Sequence, residues 1–421
     1  MSYEFTTLGA IVGMVIAIGL IIKKVQPAYS LILGALVGGV IGSSGDLILT
    51  VDTMISGSQS MISSVLRIMT SGILAGCLIK TGAAEKIAEV IVNKLGEKRA
   101  IFAIALATMI ICSVGVFIDI SVITVAPIAL AIGEKANYNK PALLLAMIGG
   151  GKAGNIISPN PNTIAVSEAF EVSLTSLMVK NIVPAICALI VTIMIATMLS
   201  KKKGTMVSKS DIEETSNKEL PSFLQAIAGP LVVVILLALR PLLNIVIDPL
   251  IALPLGGFVC AVTCGKIKEF KGFAEYGLSK VIGVSVLLIG TGTIAGVIKA
   301  SALQYDVIHL LEVLNMPSIV LAPIAGILMA GATASTTAGA TIGAQTFAAP
   351  LLNAGIPALS AGAIIHAGAT VIDSLPHGSF FHATGGAANM EISERMKLIP
   401  YEACIGLTST LVATVMYLVF H

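Results

Sequence analysis

Long apolar runs recur along the chain from end to end, separated by short polar stretches. Runs such as 3–22, 225–239 and 405–420 hold about 15 to 20 residues each. A helix of that length crosses most or all of a hydrocarbon core of about 30 Å. The pattern therefore predicts an all-α, polytopic membrane protein that has the lipid bilayer as its main partner.

Composition supports this class and excludes others. The 421 residues are 56% hydrophobic and 11% charged, with a mean hydropathy of +0.97, whereas a soluble chain carries roughly a quarter charged residues. The six cysteines stand in apolar sequence without metal-type spacing, so we expect buried thiols. The sequence holds no GxxxxGK[ST] loop, which argues against an ATP-driven pump. We expect no cofactor, no metal and no nucleic-acid partner.

One long hydrophilic segment, residues 201–221, interrupts the apolar pattern. It is rich in lysine, and cytoplasmic loops of membrane proteins are enriched in Lys and Arg. We therefore predict a cytoplasmic linker that joins a first transmembrane repeat, 1–200, to a second, 222–421. Other basic groups, such as those at Lys23 and Arg395, fit the same side. This topology places both chain ends on the outer side of a cytoplasmic (inner) membrane.

Two apolar segments carry turn signals at their centres. Residues 101–132 turn near SVGVFIDIS and have lysine on both flanks, whereas residues 318–350 turn at ATASTTAGAT and have no basic excess. We predict that both are re-entrant hairpins, the first entering from the cytoplasm and the second from outside. A further segment, 83–95, has an apolar face opposite Glu85 and Glu89, which predicts an amphipathic helix in the interface.

The two halves of the chain are similar to each other. PALLLAMIGGGKAGNIISPNPNT at 141–163 aligns without gaps to PALSAGAIIHAGATVIDSLPHGS at 357–379, with 7 of 23 positions identical. The lysine-based topology sends these matching segments across the membrane in opposite directions. We therefore predict two inverted-topology repeats, with about ten transmembrane helices, two re-entrant hairpins and a binding site near the midplane.

Each aligned segment contains a helix-breaking stretch. In SPNPNT, Pro159 and Pro161 lack an amide hydrogen and disfavour helix in the residue before them. Non-helical backbone at membrane depth is tolerated only where it is buried in protein or lines a cavity. We therefore interpret SPNPNT and its mate VIDSLPHGS as the breaks of two discontinuous helices, where a ligand binds.

The polar side chains at the breaks and hairpin turns are the candidate site residues. The candidates for substrate binding are Lys152, Asn155, Ser158, Asn160, Asn162, Thr163, Ser335, Thr336, Thr337, Ser374, His377 and Ser379. The candidates for proton coupling are Asp119, His366, Asp373 and His377. A carboxylate at membrane depth is costly unless it is paired or functional, and histidine titrates near neutral pH.

Several assignments stay open at this level. Lys152 suits a substrate carboxylate, but it equally suits a permanent salt bridge with Asp119 or Asp373. Asp119 in turn suits either proton carriage or a structural contact. Arg67 receives no role.

The layout resembles the gluconate permease (GntP) family of the ion transporter superfamily over nearly the whole chain. The supporting stretches are GILAGCLIKTGAAEKIAEVIVNKLGEKRAIFAIAL, FIDISVITVAPIALAI, SPNPNTIA and ATASTTAGATIGAQTFAAPL. The resemblance implies two inverted repeats, often a homodimer, and proton-driven symport of sugar acids or related hydroxycarboxylates. SPNPN stands where the family typically has a PPHPG-like motif, and LPHG stands where it has an asparagine-aspartate-rich one. These departures favour an organic anion as the class without singling out gluconate.

Residues and resemblance together predict a secondary active transporter of a small hydroxylated carboxylate, coupled to protons and working by alternating access. Sodium coupling to a carboxylate or dicarboxylate is the alternative, because SPNPNT and ASTTA offer oxygen ligands. An intramembrane hydrolase using Ser374 or Ser379 with His377 and Asp373 is a remote alternative, since residues adjacent on an irregular loop seldom form a triad. We expect a transporter rather than an enzyme.

Overall fold

The structure is a computed structural model that describes residues 4–96, 99–211, 219–243, 245–303, 305–306, 309, 313, 317–376 and 378–420. These residues form α-helices joined by short turns, with two isolated β-bridges and no β-strand among them. The all-α fold that the apolar runs predict is therefore confirmed.

Helices of the first half lead from the amino-terminal region to the linker. They are α1 (Thr7–Ile22), α2 (Pro27–Gly42), α3 (Leu47–Gln59), α4 (Ile62–Lys80), α5 (Ala83–Leu95), α6 (Ala100–Ser113), α7 (Ile118–Ala136), α8 (Lys140–Asn155), α9 (Pro161–Ala169), α10 (Leu174–Lys180) and α11 (Ile182–Ser200). Side-chain caps define several starts: Gln26, Asn139 and Asn160 each accept a backbone amide hydrogen at the head of α2, α8 and α9.

Helices of the second half follow the linker. They are α12 (Phe223–Leu243), α13 (Pro249–Thr263), α14 (Phe270–Lys299), α15 (Leu321–Thr333), α16 (Thr336–Asn353), α17 (Ala358–Gly368), α18 (Ser379–Ala387), α19 (Ile392–Met396) and α20 (Ile399–Phe420). Within the described ranges, four helical segments are long and apolar enough to cross a membrane: Leu47–Lys80, Ile182–Ser200, Ile267–Lys299 and Ile392–Phe420. Shorter apolar helices accompany them.

Helices α3 and α4 run antiparallel to α14, and glycines let the backbones touch. A Cβ on Gly57 would lie 2.1 Å from the carbonyl oxygen of Gly292, and a Cβ on Gly277 would lie 1.9 Å from that of Gly72. No side chain fits at such a distance, so these positions require glycine. Helices α1, α2 and α13 pack against these three helices, and α12 packs against α13. We call α1–α4 with α12–α14 the α14 group.

The remaining long helices form a second group around the two breaks. Helix α8 packs against α6, α7 and α11, and α17 packs against α15, α16 and α20. We call α6–α11 with α15–α20 the broken-helix group. Helix α5, predicted as amphipathic, buries Ile87, Ala88 and Val92 and packs against α4, α6, α7 and α12. Its apolar face therefore rests on protein, between the two groups.

A helix–turn–helix unit occupies each of the two segments predicted as hairpins. The first turns at 114–117 between α6 and α7, where Gly115 has a φ of +108° that favours glycine. The second turns at Ala334 and Ser335 between α15 and α16, and the Ser335 hydroxyl accepts the amide hydrogen of Ala338. Helix α7 continues to Ala136, past the predicted end of its hairpin. Re-entry into the membrane stays a prediction.

The predicted breaks are also present. Residues 156–160 separate α8 from α9, and residues 369–378 separate α17 from α18. Each half thus carries the same order of elements: a helix pair, a broken helix, a short helix and a long final helix. This order is what a sequence repeat requires, whereas the inverted orientation and the repeat boundaries remain predictions.

The linker packs against helix ends from both halves. Lys140, at the start of α8, donates from Nζ to Asp211 Oδ1 at 2.7 Å and to the carbonyl oxygen of Asn389 at 3.0 Å. Burial raises the pKa of the Asp211 carboxyl, but hydrogen bonds from Lys140 and Ser208 outweigh burial and hold it at about 2. One face of the molecule therefore joins the linker, α8 and the segment before α19.

Candidate substrate site

The two breaks meet at a buried ion pair. Lys152 Nζ, in the last turn of α8, lies 2.6 Å from Asp373 Oδ1 in the second break. The same nitrogen donates to the carbonyl oxygen of Thr370 at 2.6 Å. Both charged side chains are 1% exposed. Charges buried this deeply persist only when they are paired and hydrogen-bonded, so this contact fixes the first broken helix against the second.

The second hairpin reaches the same carboxylate. Thr336 Oγ1, at the start of α16, donates to Asp373 Oδ2 at 2.5 Å, and Ser374 Oγ donates to Oδ1 at 3.0 Å. The carboxylate therefore accepts hydrogen bonds on both oxygens. The tip of the second hairpin, the end of the first broken helix and the second break all meet at the carboxylate of Asp373.

Asparagines organise the first break. Asn160 Oδ1 accepts hydrogen bonds from the amides of Asn162 and Thr163 at 3.0 and 3.1 Å, and from Thr163 Oγ1 at 3.2 Å. Its Nδ2 donates to Asn155 Oδ1 at 2.5 Å, and Asn162 Nδ2 donates to the same oxygen at 3.1 Å. Asn160 is thus the N-cap of α9, and the cluster replaces the backbone bonds that Pro159 and Pro161 remove.

Ser158 ties the first break to the first hairpin. Its Oγ donates at 2.6 Å to the carbonyl oxygen of Cys112, in the last turn of α6. The same carbonyl oxygen accepts the amide hydrogen of Gly115 in the hairpin turn at 3.1 Å, so the hydroxyl of Ser158 adds a side-chain contact to the end of α6.

Other predicted residues lie apart from this network. Ser335 caps α16, Thr337 is half-buried in its first turn, and Ser379 is exposed at the start of α18. His366 is fully buried on α17. His377 lies outside the described residues.

Asp119 is separate from the ion pair. It is half-buried in the first turn of α7, where the free amides of a helix start favour a carboxylate. Lys152 pairs with Asp373 rather than with Asp119. His382, a neighbour of the second break, is exposed and bonded through Nε2 to the carbonyl oxygen of Pro376. In the part of the chain that is described, no group of three or more His, Cys, Asp or Glu could hold a metal.

Two contacts of this network, made by Lys152 and Ser158, could not be predicted from side-chain types, because in both the acceptor is a backbone carbonyl oxygen. The acceptors belong to Cys112 and Thr370. Each stands where a helix ends, which is the one sequence signal that could have found them.

Arg67, which had no role in the sequence analysis, forms salt bridges with two carboxylates. Its Nε and Nη2 donate to both carboxylate oxygens of Asp248, at 3.0 and 2.7 Å, and its Nη1 donates to Glu168 at 2.5 Å. Asp248 is the N-cap of α13, and Glu168 lies near the end of α9. Arg67 therefore joins the α14 group to the broken-helix group.

A cavity of about 620 Å³ lies between α3, α14 and α16. Its lining includes Asp52, Glu171, Lys299 and Gln345, but neither Lys152 nor Asp373. The cavity runs beside the end of α9 and beside α16, the helix whose first residue, Thr336, contacts Asp373.

A sequence model of a permease family, the GntP family permease, matches residues 5–420. The chain belongs to this family. As a GntP-family permease it is an integral membrane protein, in agreement with its apolar helices.

Relatives of this GntP permease are transporters or permeases. A protein of Haemophilus influenzae, described as an uncharacterized transporter, is 52% identical over 99% of both chains. The D-serine transporter DsdX of Escherichia coli strain K12 is 21% identical over 81% of this chain and 82% of its own. A gluconate permease of Bacillus licheniformis is 23% identical over 48% of this chain and 46% of its own.

A solved structure shares the fold of this GntP permease. The YdaH transporter of Alcanivorax borkumensis aligns with a TM-score of 0.69 over 98% of both chains, at 14% sequence identity. At that identity the likeness establishes the fold alone, which is a fold found in transporters.

Proposed function

We propose that this GntP permease is a secondary active symporter of a small hydroxylated carboxylate, driven by protons and working by alternating access. The observation that carries the proposal is the buried pair of Lys152 and Asp373, where two breaks and a hairpin tip meet. A transporter needs such a point, because a ligand bound there contacts elements from both halves of the chain at once.

The ion pair gives a physical route to coupling. A substrate carboxylate that binds Lys152 must replace Asp373, and an unpaired carboxylate at 1% exposure would be costly. Protonation of Asp373 removes that cost, so proton and substrate bind together. With neither bound, the pair neutralises itself. The empty and the fully loaded site are therefore the two states without an unpaired buried charge, which is the condition for symport.

The relatives support the substrate class. Gluconate and D-serine, in the names of two relatives, are small molecules with a carboxylate and at least one hydroxyl group. Lys152 supplies the cation, and Thr336 and Ser374 supply hydroxyls beside it. A nucleophilic role for Ser374 has no comparable support, since its hydroxyl donates to the Asp373 oxygen that is already paired with Lys152.

Proton coupling fits the first break better than sodium coupling does. Sodium binding needs oxygen atoms with free lone pairs. Asn160 Oδ1 already accepts three hydrogen bonds and Asn155 Oδ1 accepts two. Their oxygens are therefore committed to holding the break in shape.

Membrane placement completes the proposal. The linker, with Lys201, Lys202 and Lys203, lies on the face where Lys140 binds Asp211. Cytoplasmic loops are enriched in such residues, so we place this face in the cytoplasm, both chain ends outside, and the protein in the inner membrane. A homodimer is proposed by analogy with the family.

Uptake into liposomes tests the function. With an inward proton gradient and no sodium, we expect accumulation of one or more of radiolabelled gluconate, glycerate, 3-hydroxybutyrate, lactate and D-serine, abolished by a protonophore. Asp373→Asn removes the carboxyl group that the proposal protonates, so we expect it to abolish gradient-driven accumulation, while Glu89→Gln, a change in the partly exposed Lys86–Glu89 pair, leaves uptake intact.

Two results would contradict the proposal. Accumulation that requires sodium, and is unaffected by the proton gradient, would show that sodium rather than the proton is the coupling ion. Accumulation of succinate alone would show that the substrate is a dicarboxylate rather than a hydroxylated carboxylate.

A further inference from the structure

A cavity of about 700 Å³ opens where the linker meets α8, α19 and α20, and we call it the linker cavity. Neither Lys152 nor Asp373 lines it, so it is separate from the buried ion pair. Its charged lining residues are Lys202, Lys203, Glu391, Glu394 and Lys397. Lysines from the linker and from the segment between α19 and α20 thus face one space, although almost 200 positions separate them in the chain.

Hydrogen bonds hold the walls of the linker cavity in place. Asn139, the N-cap of α8, donates from Nδ2 to the carbonyl oxygens of Leu199 and Lys202, at 2.9 and 3.0 Å. The amide of Thr205 donates to Glu394 Oε1 at 3.0 Å, so this carboxylate fixes the linker to α19. The first residues of the linker are therefore bound to both halves of the chain, and the cavity is an ordered feature of the fold.

The linker cavity lies at the level of lipid headgroups. Helix α11 is long and apolar enough to cross a membrane, and it ends at Ser200, just before the lysines. Helix α20, which belongs to another such segment, packs against α11 and starts at Ile399. The apolar parts of both helices therefore end at the cavity. Lys202 Nζ lies 5.9 Å from the ring centroid of Tyr401, and tyrosine is enriched at this level of a membrane.

Exposed apolar side chains continue from the linker cavity along both helices. On α11, Met198 and Met194 precede Lys202 by four and eight residues and are 43% and 64% exposed. On α20, Leu411 and Val415 are 54% and 52% exposed. Each pair is spaced by about one helical turn, so it forms a strip along one side of its helix. Lipid tails can lie along these strips while a headgroup occupies the cavity.

The charge of the lining favours one kind of headgroup. Three lysines and two glutamates give the linker cavity a net charge of +1. A phospholipid headgroup that has a phosphodiester and no amine carries a single negative charge, which balances this lining. A zwitterionic headgroup has no net charge to balance. Basic pockets between transmembrane helices are known to bind anionic headgroups.

We propose that the linker cavity binds the headgroup of an anionic phospholipid, with the phosphate between Lys202, Lys203 and Lys397 and the tails along α11 and α20. A lipid bound there contacts the linker on one side and the start of α20 on the other. It therefore stabilises the junction of the two halves. The inference depends on neither the transported substrate nor the coupling ion.

Native mass spectrometry of the full-length protein in detergent tests the site. The probes are dioleoyl phosphatidylglycerol, phosphatidylethanolamine and phosphatidylcholine, which share their tails and differ in their headgroups. We expect phosphatidylglycerol to bind with the lowest Kd, at one molecule per chain. The double variant Lys202→Gln/Lys397→Gln removes one ammonium group from each wall. It should weaken phosphatidylglycerol binding by about 5- to 30-fold, since each lysine near a headgroup contributes about 5-fold.

Two control variants separate a specific site from general charge attraction and from a damaged fold. Lys268→Gln/Lys271→Gln removes the same charge from exposed positions near the start of α14, and it should leave the Kd within about 2-fold. Lys202→Arg/Lys397→Arg keeps both charges in the linker cavity and should retain binding.

Each contrary result overturns the proposal. If phosphatidylethanolamine or phosphatidylcholine binds as tightly as phosphatidylglycerol, the cavity does not select an anionic headgroup. Equal losses in the two glutamine variants would show general charge attraction, and a loss in the arginine variant as large as in its glutamine counterpart would show a damaged wall. Displacement of phosphatidylglycerol by inorganic phosphate would show that the ligand is free phosphate rather than a lipid.

Discussion

At the residue scale, Asp373 accepts hydrogen bonds from side chains of three separate segments. Lys152 comes from α8, Thr336 from α16 and Ser374 from the second break itself. A change of charge on one carboxyl group therefore alters contacts to both broken helices and to a hairpin tip. A change at this one side chain should therefore affect the packing of the whole broken-helix group.

Single and double replacements should separate the two charges of the pair. Asp373→Asn and Lys152→Met each leave one charge buried without a partner, and we expect each to lower the free energy of unfolding by about 3–5 kcal/mol. The double variant leaves no charge and should be more stable than either single one. Thermal unfolding of the three variants in detergent is the measurement, and costs that simply add would contradict the pairing.

Thr341→Val should stabilise the protein in the absence of substrate. The hydroxyl of Thr341 is buried without a partner among the described residues, and replacing it by a methyl group removes that penalty. We expect a gain of about 1 kcal/mol in the free energy of unfolding. Thr410→Val, which breaks an existing hydrogen bond, should instead lose stability. A loss for both variants would show that Thr341 has a structural partner.

At the element scale, the start of α9 depends on a single side chain. Asn160 supplies the acceptor for two backbone amides and one hydroxyl, and its amide group reaches back to the end of α8. The nine-residue helix α9 is too short to be stable by itself, so this cap and its packing hold it in place. The break is therefore an ordered element rather than a gap between two helices.

Asn160→Ala should loosen this element. Loss of an N-cap costs about 1–2 kcal/mol, and the loss of the contact to Asn155 adds to it. Asn160→Asp keeps the capping oxygen and should recover part of the stability. Urea unfolding of the two variants, with uptake measured in parallel, tests the role. Equal stability of Asn160→Ala and wild type would contradict it.

At the scale of the whole molecule, ionic contacts join parts that are distant in the chain. Arg67 links α4 to Glu168 near the end of α9 and to Asp248 at the start of α13. Lys140 links the start of α8 to the linker through Asp211. The contacts of Arg67 join the α14 group to the broken-helix group. Lys140, which also bonds the carbonyl oxygen of Asn389, joins the linker to the parts of the broken-helix group that come from the first and the second half of the chain.

The linker contact should lose its stabilising effect at low pH. Folding lowers the pKa of Asp211 from 3.8 to about 2, so the stabilisation is fully present above about pH 4 and is lost as the pH falls towards 2. We expect Asp211→Asn to cost about 1–2 kcal/mol at pH 6 and almost nothing near pH 2. Unfolding at both pH values measures this, and a cost independent of pH would contradict it.

The sequence by itself determined which parts of the chain are helical, where the two helices break and which family the chain resembles. Apolar runs set the helices, and Pro159 and Pro161 exclude a continuous helix whatever surrounds them. The repeat pointed to Asp373 because it lies in the segment that matches SPNPNT. These are local properties of the chain, which is why a reading of one sequence reached them.

Only the tertiary structure decided which of these residues meet. Lys152 had two possible partners in the sequence, Asp119 and Asp373, and the packing of two distant segments selected the second. Arg395, one of the basic residues on the predicted cytoplasmic side, is 1% exposed and paired with Glu402, which the sequence did not indicate. Burial and pairing depend on neighbours more than 200 positions away in the case of Lys152, and no local pattern records that distance.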